Sequence, residues 1–170
     1  RLGPVDGAPR RAIDRAEAAL GRIDALGQGR VSGAVLVGSA VLGDWREDRS
    51  DIDLLLTTDG PVPPEVRQAW RQAAGLGGAK TDLIIADPAA LAGFQQDLNL
   101  AVALRTAEQC GQVLRGGGLP VIGQADLSVL LQDNLAGYWT SWMRAARGRP
   151  IGWQTWAMFG PFGAVWLLDR

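Results

Sequence analysis

Residues 35–56 read VLVGSAVLGDWREDRSDIDLLL, two apolar runs separated by a short, highly charged loop. The second run carries Asp51 and Asp53, two residues apart, inside what otherwise has the pattern of a buried strand. An ionised carboxylate resists burial unless something cationic meets it. These two therefore either face solvent or hold a cation. Side chains alternate along a strand, so Asp51, Asp53 and Leu55 share one face, and Ile52, Leu54 and Leu56 the other. Two carboxylates on one face lie roughly 6–7 Å apart at their α-carbons, close enough to share one metal or bracket a pair.

Working outward, an α/β order emerges. Residues 9–27 have helical spacing, with Ile13, Ala16, Leu20 and Ile23 on one stripe and Gly27 and Gly29 as the stop. Val31–Val37 reads as a buried strand, Ala40–Leu42 as a brief helical turn, and Ile52–Thr57 as a second strand. Pro63 and Pro64 open a helix that runs to about Gly75 and buries Val66, Trp70 and Ala73. Thr81–Ala86 is a third strand, closed by Asp87-Pro88 in a turn. Residues 89–115 read as helical. A stripe of Leu127, Leu131, Leu135, Tyr138, Trp142 and Ala146 continues that character behind a candidate N-cap at Asp126. The expected organisation is a first domain over 1–100 with a short mixed sheet, then an all-helical region over 101–170.

Composition narrows the chemistry. The chain has 170 residues, enough for one solid domain and part of another, with a net charge of −1 that gives no reason to expect nucleic acid or an acidic membrane as partner. Histidine is absent, which removes the commonest general base, the His-dependent nucleophile arrangements and most zinc sites. Any metal would be held by oxygen, which favours magnesium, manganese or calcium. The lone Cys110 excludes an internal disulfide and suits a reducing cytoplasm. The start at Arg1 has no secretory apolar core, and both termini are expected to be incomplete. Ile151–Leu168 lacks charge, but Gln154, three glycines and Pro161 favour a buried helix pair over a membrane span.

In the third strand Asp82 shares a face with Ile84 and Ala86. If the second and third strands pair, Asp82 joins Asp51 and Asp53. Three such carboxylates repel one another unless a cation neutralises them, and two divalent ions in such a site can clamp the attacking and leaving oxygens of a phosphoryl transfer. Gly38-Ser39 supplies the complement, because glycine permits close backbone approach and the amides and hydroxyl that follow can meet a phosphate. Asp87 reads as a turn residue, and Arg46, Glu47, Asp48 and Arg49 as a solvated loop tip.

Apolar strand, Gly-Ser, spacer and Asp-Ile-Asp together resemble the signature of the DNA polymerase β-like nucleotidyltransferase superfamily. The nearer likeness is to bacterial aminoglycoside adenylyltransferases of the streptomycin/spectinomycin type. Gly38-Ser39-Ala40 with Gly43, then Ser50-Asp51-Ile52-Asp53-Leu54, fit their pattern position by position. Asp82 stands where those enzymes usually carry Glu. The resemblance implies that Asp51, Asp53 and Asp82 ligate two Mg2+ ions, and that Gly38, Ser39 and Ser50 hold ATP. It further implies that Asp82 serves as base toward a hydroxyl of a small-molecule acceptor such as an aminoglycoside. Such polycations call for acidic surroundings, whereas residues 101–170 carry only Glu108, Asp126, Asp133 and Asp169 against six arginines. The alternative of a different class is an antitoxin-type or regulatory module that binds or modifies a partner protein.

Overall fold

The computed structural model describes residues 7–116 apart from 44, 79, 95 and 96. Their order is α1 (Arg10–Ala25), β1 (Val31–Val37), α2 (Ser39–Leu42), β2 (Ile52–Thr58), α3 (Pro64–Gly75), β3 (Thr81–Ala86), α4 (Pro88–Ala92), α5 (Leu98–Cys110) and β4 (Gln112–Arg115). The four strands form one mixed sheet in the order β3-β2-β1-β4, with β2 and β3 parallel and the other pairs antiparallel. The expected mixed α/β domain is what forms. The helical stripes read over 117–170, the uncharged run over 151–168 included, lie outside the described residues. Among the described residues no helix is long and apolar enough to cross a membrane.

Helices cover both faces of the sheet, which explains why β1 and β2 are apolar almost throughout rather than alternating. On one face Ala34, Leu36, Ile52, Leu54, Leu56, Leu83 and Ile85 meet the α1 stripe of Ala12, Ala16, Ala19, Leu20 and Ile23, together with Trp70 and Ala74 of α3. On the other, Val35, Val37, Leu55 and Ala86 meet Leu100, Ala103 and Leu104 of α5. Trp70 is 1% exposed, and its indole N–H donates to the Gln28 carbonyl at 2.9 Å, so the largest core side chain leaves no polar atom unpaired. Val66, expected in that core, is only partly buried against it. Arg22 of α1 donates to the carbonyls of Ala73 and Ala74, both at 2.8 Å, and so caps the C-terminus of α3 with a cation.

One stretch differs from the sequence reading. Residues 89–115 are not one helical run: α4 ends at Gly93, α5 starts after Asp97, whose carboxylate accepts from the Leu100 N–H at 3.1 Å, and Gln112–Arg115 is a strand. The open edge of β1 takes up Gln112–Arg115, so pairing across the sheet overrides local pattern. Gly111 makes the tight junction, because a Cβ there would stand 2.6 Å from both the Ala107 α-carbon and the Val35 side chain. Helix α5 runs continuously across position 100, and Arg115 of β4 pairs with Asp24 of α1.

Candidate active site

The site lies where β1 ends and β2 and β3 begin. Val37, the last residue of β1, stands opposite Asp53, and Gly38 then turns the chain into α2 with φ 67° and ψ −149°. That backbone conformation is essentially restricted to glycine. Space makes the same demand, since a Cβ on Gly38 would lie 2.0 Å from Asp53 Oδ2. The backbone N–H of Ser39 donates to the Asp53 carboxylate. The two halves of the sequence motif, Gly-Ser and Asp-Ile-Asp, are therefore in direct contact.

Strand pairing adds the third carboxylate. Asp53 and Asp82 are register partners across the parallel β2/β3 ladder. Asp51 immediately precedes β2, and its carboxylate pairs with the Lys80 ammonium. Asp53 is partly buried, whereas Asp82 is exposed and makes no ion pair among the described residues. Burial, then the charges of Asp82 and Asp51, push the Asp53 carboxyl up to about 6, against the opposing pull of Lys80 and the Ser39 amide. The expected meeting of Asp51, Asp53 and Asp82 on adjoining strand ends is thus present. As their side chains stand, no three acidic groups among the described residues converge closely enough to hold one ion together.

Other residues take different parts. The Ser50 hydroxyl accepts from the Arg46 N–H at 2.9 Å and closes the loop between α2 and β2. Within that loop Glu47 pairs with Arg11 and Arg15 of α1, and the Arg15 guanidinium lies 5.5 Å from the centre of the Trp45 ring. The tip is exposed, as its sequence implied, and is in addition fastened to α1 through Glu47. Asp87 is 3% exposed and accepts from the N–H groups of Val62 (3.2 Å) and Ala90 (2.9 Å) while pairing with Arg67. It serves structure, as its place before Pro88 implied, and caps α4 besides.

Sequence reasoning missed Lys80. Its signal was compositional, for among 17 basic residues it is the only lysine, and it sits one residue before β3.

A hard, oxygen-liganded cation fits this donor set. Three carboxylates and no histidine occupy neighbouring strand ends, burial and two acidic neighbours disfavour the charged form of Asp53, and the missing Cβ of Gly38 leaves room for its carboxylate. Magnesium is the ion such donors suit best when phosphates share them.

The family model described as nucleotidyltransferase domain matches residues 17–102. Among solved structures, spectinomycin adenyltransferase AAD(9) from Enterococcus faecialis, solved with ATP and spectinomycin, is similar in fold. Its TM-score is 0.53 at 12% identity, over 94% of this chain and 90% of that one. A toxin-antitoxin structure with AMP-PNP aligns at 17% identity and a TM-score of 0.39, over 77% of this chain and 92% of that one. No curated protein matches the sequence. The family match begins within α1, takes in the Gly-Ser turn and all three carboxylates, and ends within α5, so the chain belongs to the nucleotidyltransferase domain family.

Proposed function

We propose that the protein is a magnesium-dependent nucleotidyltransferase that moves AMP from ATP to a hydroxyl of a small molecule, an aminoglycoside being the leading acceptor class. The observation that supports this reading is the register of Asp53 with Asp82 beside a glycine whose missing Cβ leaves room for the Asp53 carboxylate. Asp51, Asp53 and Asp82 would hold magnesium, which when bound supplies Lewis acidity and charge neutralisation for phosphoryl transfer. Gly38 and Ser39, with Ser50 at the end of the loop, face the triphosphate. The acceptor oxygen forms a bond to the α-phosphorus, the bond to the bridging oxygen breaks, and pyrophosphate leaves. Asp82, the most exposed of the three carboxylates, receives the hydroxyl proton. Asp is one methylene shorter than Glu, so the acceptor must approach β3 closely.

The decisive experiment incubates the protein with ATP labelled at the α-phosphorus, Mg2+ and a panel of aminoglycosides. Label on a drug with release of pyrophosphate is the expected result, and Asp51→Ala and Asp53→Ala are expected to lose at least ~100-fold in rate. Label on a protein instead would replace the small-molecule acceptor with a protein one. ATP binding that calorimetry finds unchanged in both folded variants would overturn the assignment of the site itself.

A further inference from the structure

We infer that Lys80 is a built-in counter-ion of the carboxylate site: its ammonium holds Asp51 in the metal-free protein and competes with the divalent cation for it. The inference rests on the carboxylate site proposed above and adds a residue to it.

Placement is fixed by the backbone. The Ile52 N–H donates to the Lys80 carbonyl at 2.9 Å, the contact that opens the β2/β3 ladder, so the Lys80 α-carbon is held beside Asp51. From there the side chain reaches Asp51 Oδ2. Among the described residues Lys80 is also the one cation whose charge acts on Asp53. The site therefore carries its own positive charge.

The residue type matters as much as the position. Every other basic residue of the 17 is arginine. Arginine makes the ion pairs that tie elements together, Arg67 to Asp87, Arg115 to Asp24, and Arg15 to Glu47. A guanidinium grips a carboxylate through a planar fork, whereas an ammonium is a compact point charge on a flexible stem. The Lys80 side chain is 76% exposed and that of Asp51 31% exposed. Exposed pairs of this kind hold weakly. The one lysine thus stands where a displaceable, metal-like charge is useful, whereas Arg67, Arg115 and Arg15 tie separate elements together.

Competition of this kind lowers the apparent affinity for the cation, since binding must first break the pair. The test is calorimetric titration of Mn2+ into the whole chain without nucleotide, for wild type, Lys80→Ala, Asp51→Asn and Arg49→Ala. Arg49 is an exposed loop cation paired with Asp48, so its removal controls for net charge. Lys80→Ala is expected to bind roughly three- to tenfold more tightly than wild type, and Arg49→Ala to differ by less than about twofold.

The single lysine offers a second readout. Protein labelled with 13C at the lysine ε-carbon gives one lysine resonance, expected to shift as Mg2+ is added and to stay put in Asp51→Asn. Equal affinity in wild type and Lys80→Ala, an equal gain in Arg49→Ala, or a lysine resonance unmoved at saturating Mg2+ would each overturn the competition. Cation binding that depends on Asp51 yet ignores Lys80 overturns this inference alone. Absence of cation binding in both wild type and Lys80→Ala overturns the carboxylate site and the inference with it.

Discussion

Asp53 sits in a folded environment that favours its neutral form: burial comes first, then the neighbouring charges of Asp82 and Asp51, raising it from 3.8 to about 6. For an acid raised by folding, the native state binds more protons than the unfolded chain between those two values. Stability therefore falls as pH rises through that window, and the full penalty applies above it. Asp53→Asn keeps an oxygen for the Ser39 N–H and removes the charge. In EDTA at pH 7–8 the variant is expected to be more stable than wild type by about 2–3 kcal/mol, and the gap should close below about pH 4. Urea titrations across that range measure it. A variant less stable than wild type at pH 8 would mean that Asp53 is not under charge strain. The same substitution removes a carboxylate from the proposed magnesium site, so greater stability is expected to accompany lost activity.

Strand β3 shows how one element separates two uses of an aspartate. Asp82 is its second residue, exposed and in register with Asp53, and Asp87 directly follows its last. Five residues of strand put roughly 16 Å between them. At the far end Asp87 is enclosed, and its environment supplies donors from three directions. Burial alone would raise its carboxyl, but the N–H groups of Ala90 and Val62 and the Arg67 guanidinium together hold it below the usual carboxylate value. A lowered folded value contributes stability that is present above the unfolded value and is lost as pH falls through the folded one. Asp87→Ala strands Arg67, uncaps α4 and leaves two amides without their acceptor, at an expected cost of about 3–5 kcal/mol. Asp87→Asn, which retains an acceptor, should cost distinctly less. Because the site is at the opposite end of β3, ATP binding by folded Asp87→Asn should match wild type. An Asp87→Asn variant that folds fully and fails to bind ATP would place Asp87 in the site after all.

At the scale of the whole molecule, what could be read in advance was whatever the chain states locally. Strands β1, β2 and β3 are apolar runs because helices cover both faces, and each is bounded by glycine, proline or a charged loop. Gly38, Ser39, Asp51 and Asp53 lie close enough in sequence for spacing alone to bring them together, and Asp82 needed only the pairing of β2 with β3. Ion pairs between side chains far apart in the chain were not legible. Lys80 meets Asp51 across 29 residues, Glu47 meets Arg11 across 36, and Arg115 meets Asp24 across 91. Strand β4 is the instructive case. Gln112-Val-Leu-Arg115 follows a helix with only one glycine as punctuation, and becomes a strand because β1 offers an edge. Its formation also secures the layer beneath the site, since α5 must end where the Val35 side chain leaves room. Gly111→Ala tests that dependence. The added Cβ would press on the Ala107 backbone and on Val35, so either α5 lifts from the sheet or β4 leaves β1. The expected cost is about 1–3 kcal/mol. Hydrogen exchange in Gln112–Arg115 should quicken roughly tenfold or more, while protection in β2 and β3 persists as long as the fold holds. Unchanged exchange and an unchanged melting temperature in Gly111→Ala would show that the junction has slack, and that β4 is held by its strand pairing and Arg115 rather than by the turn.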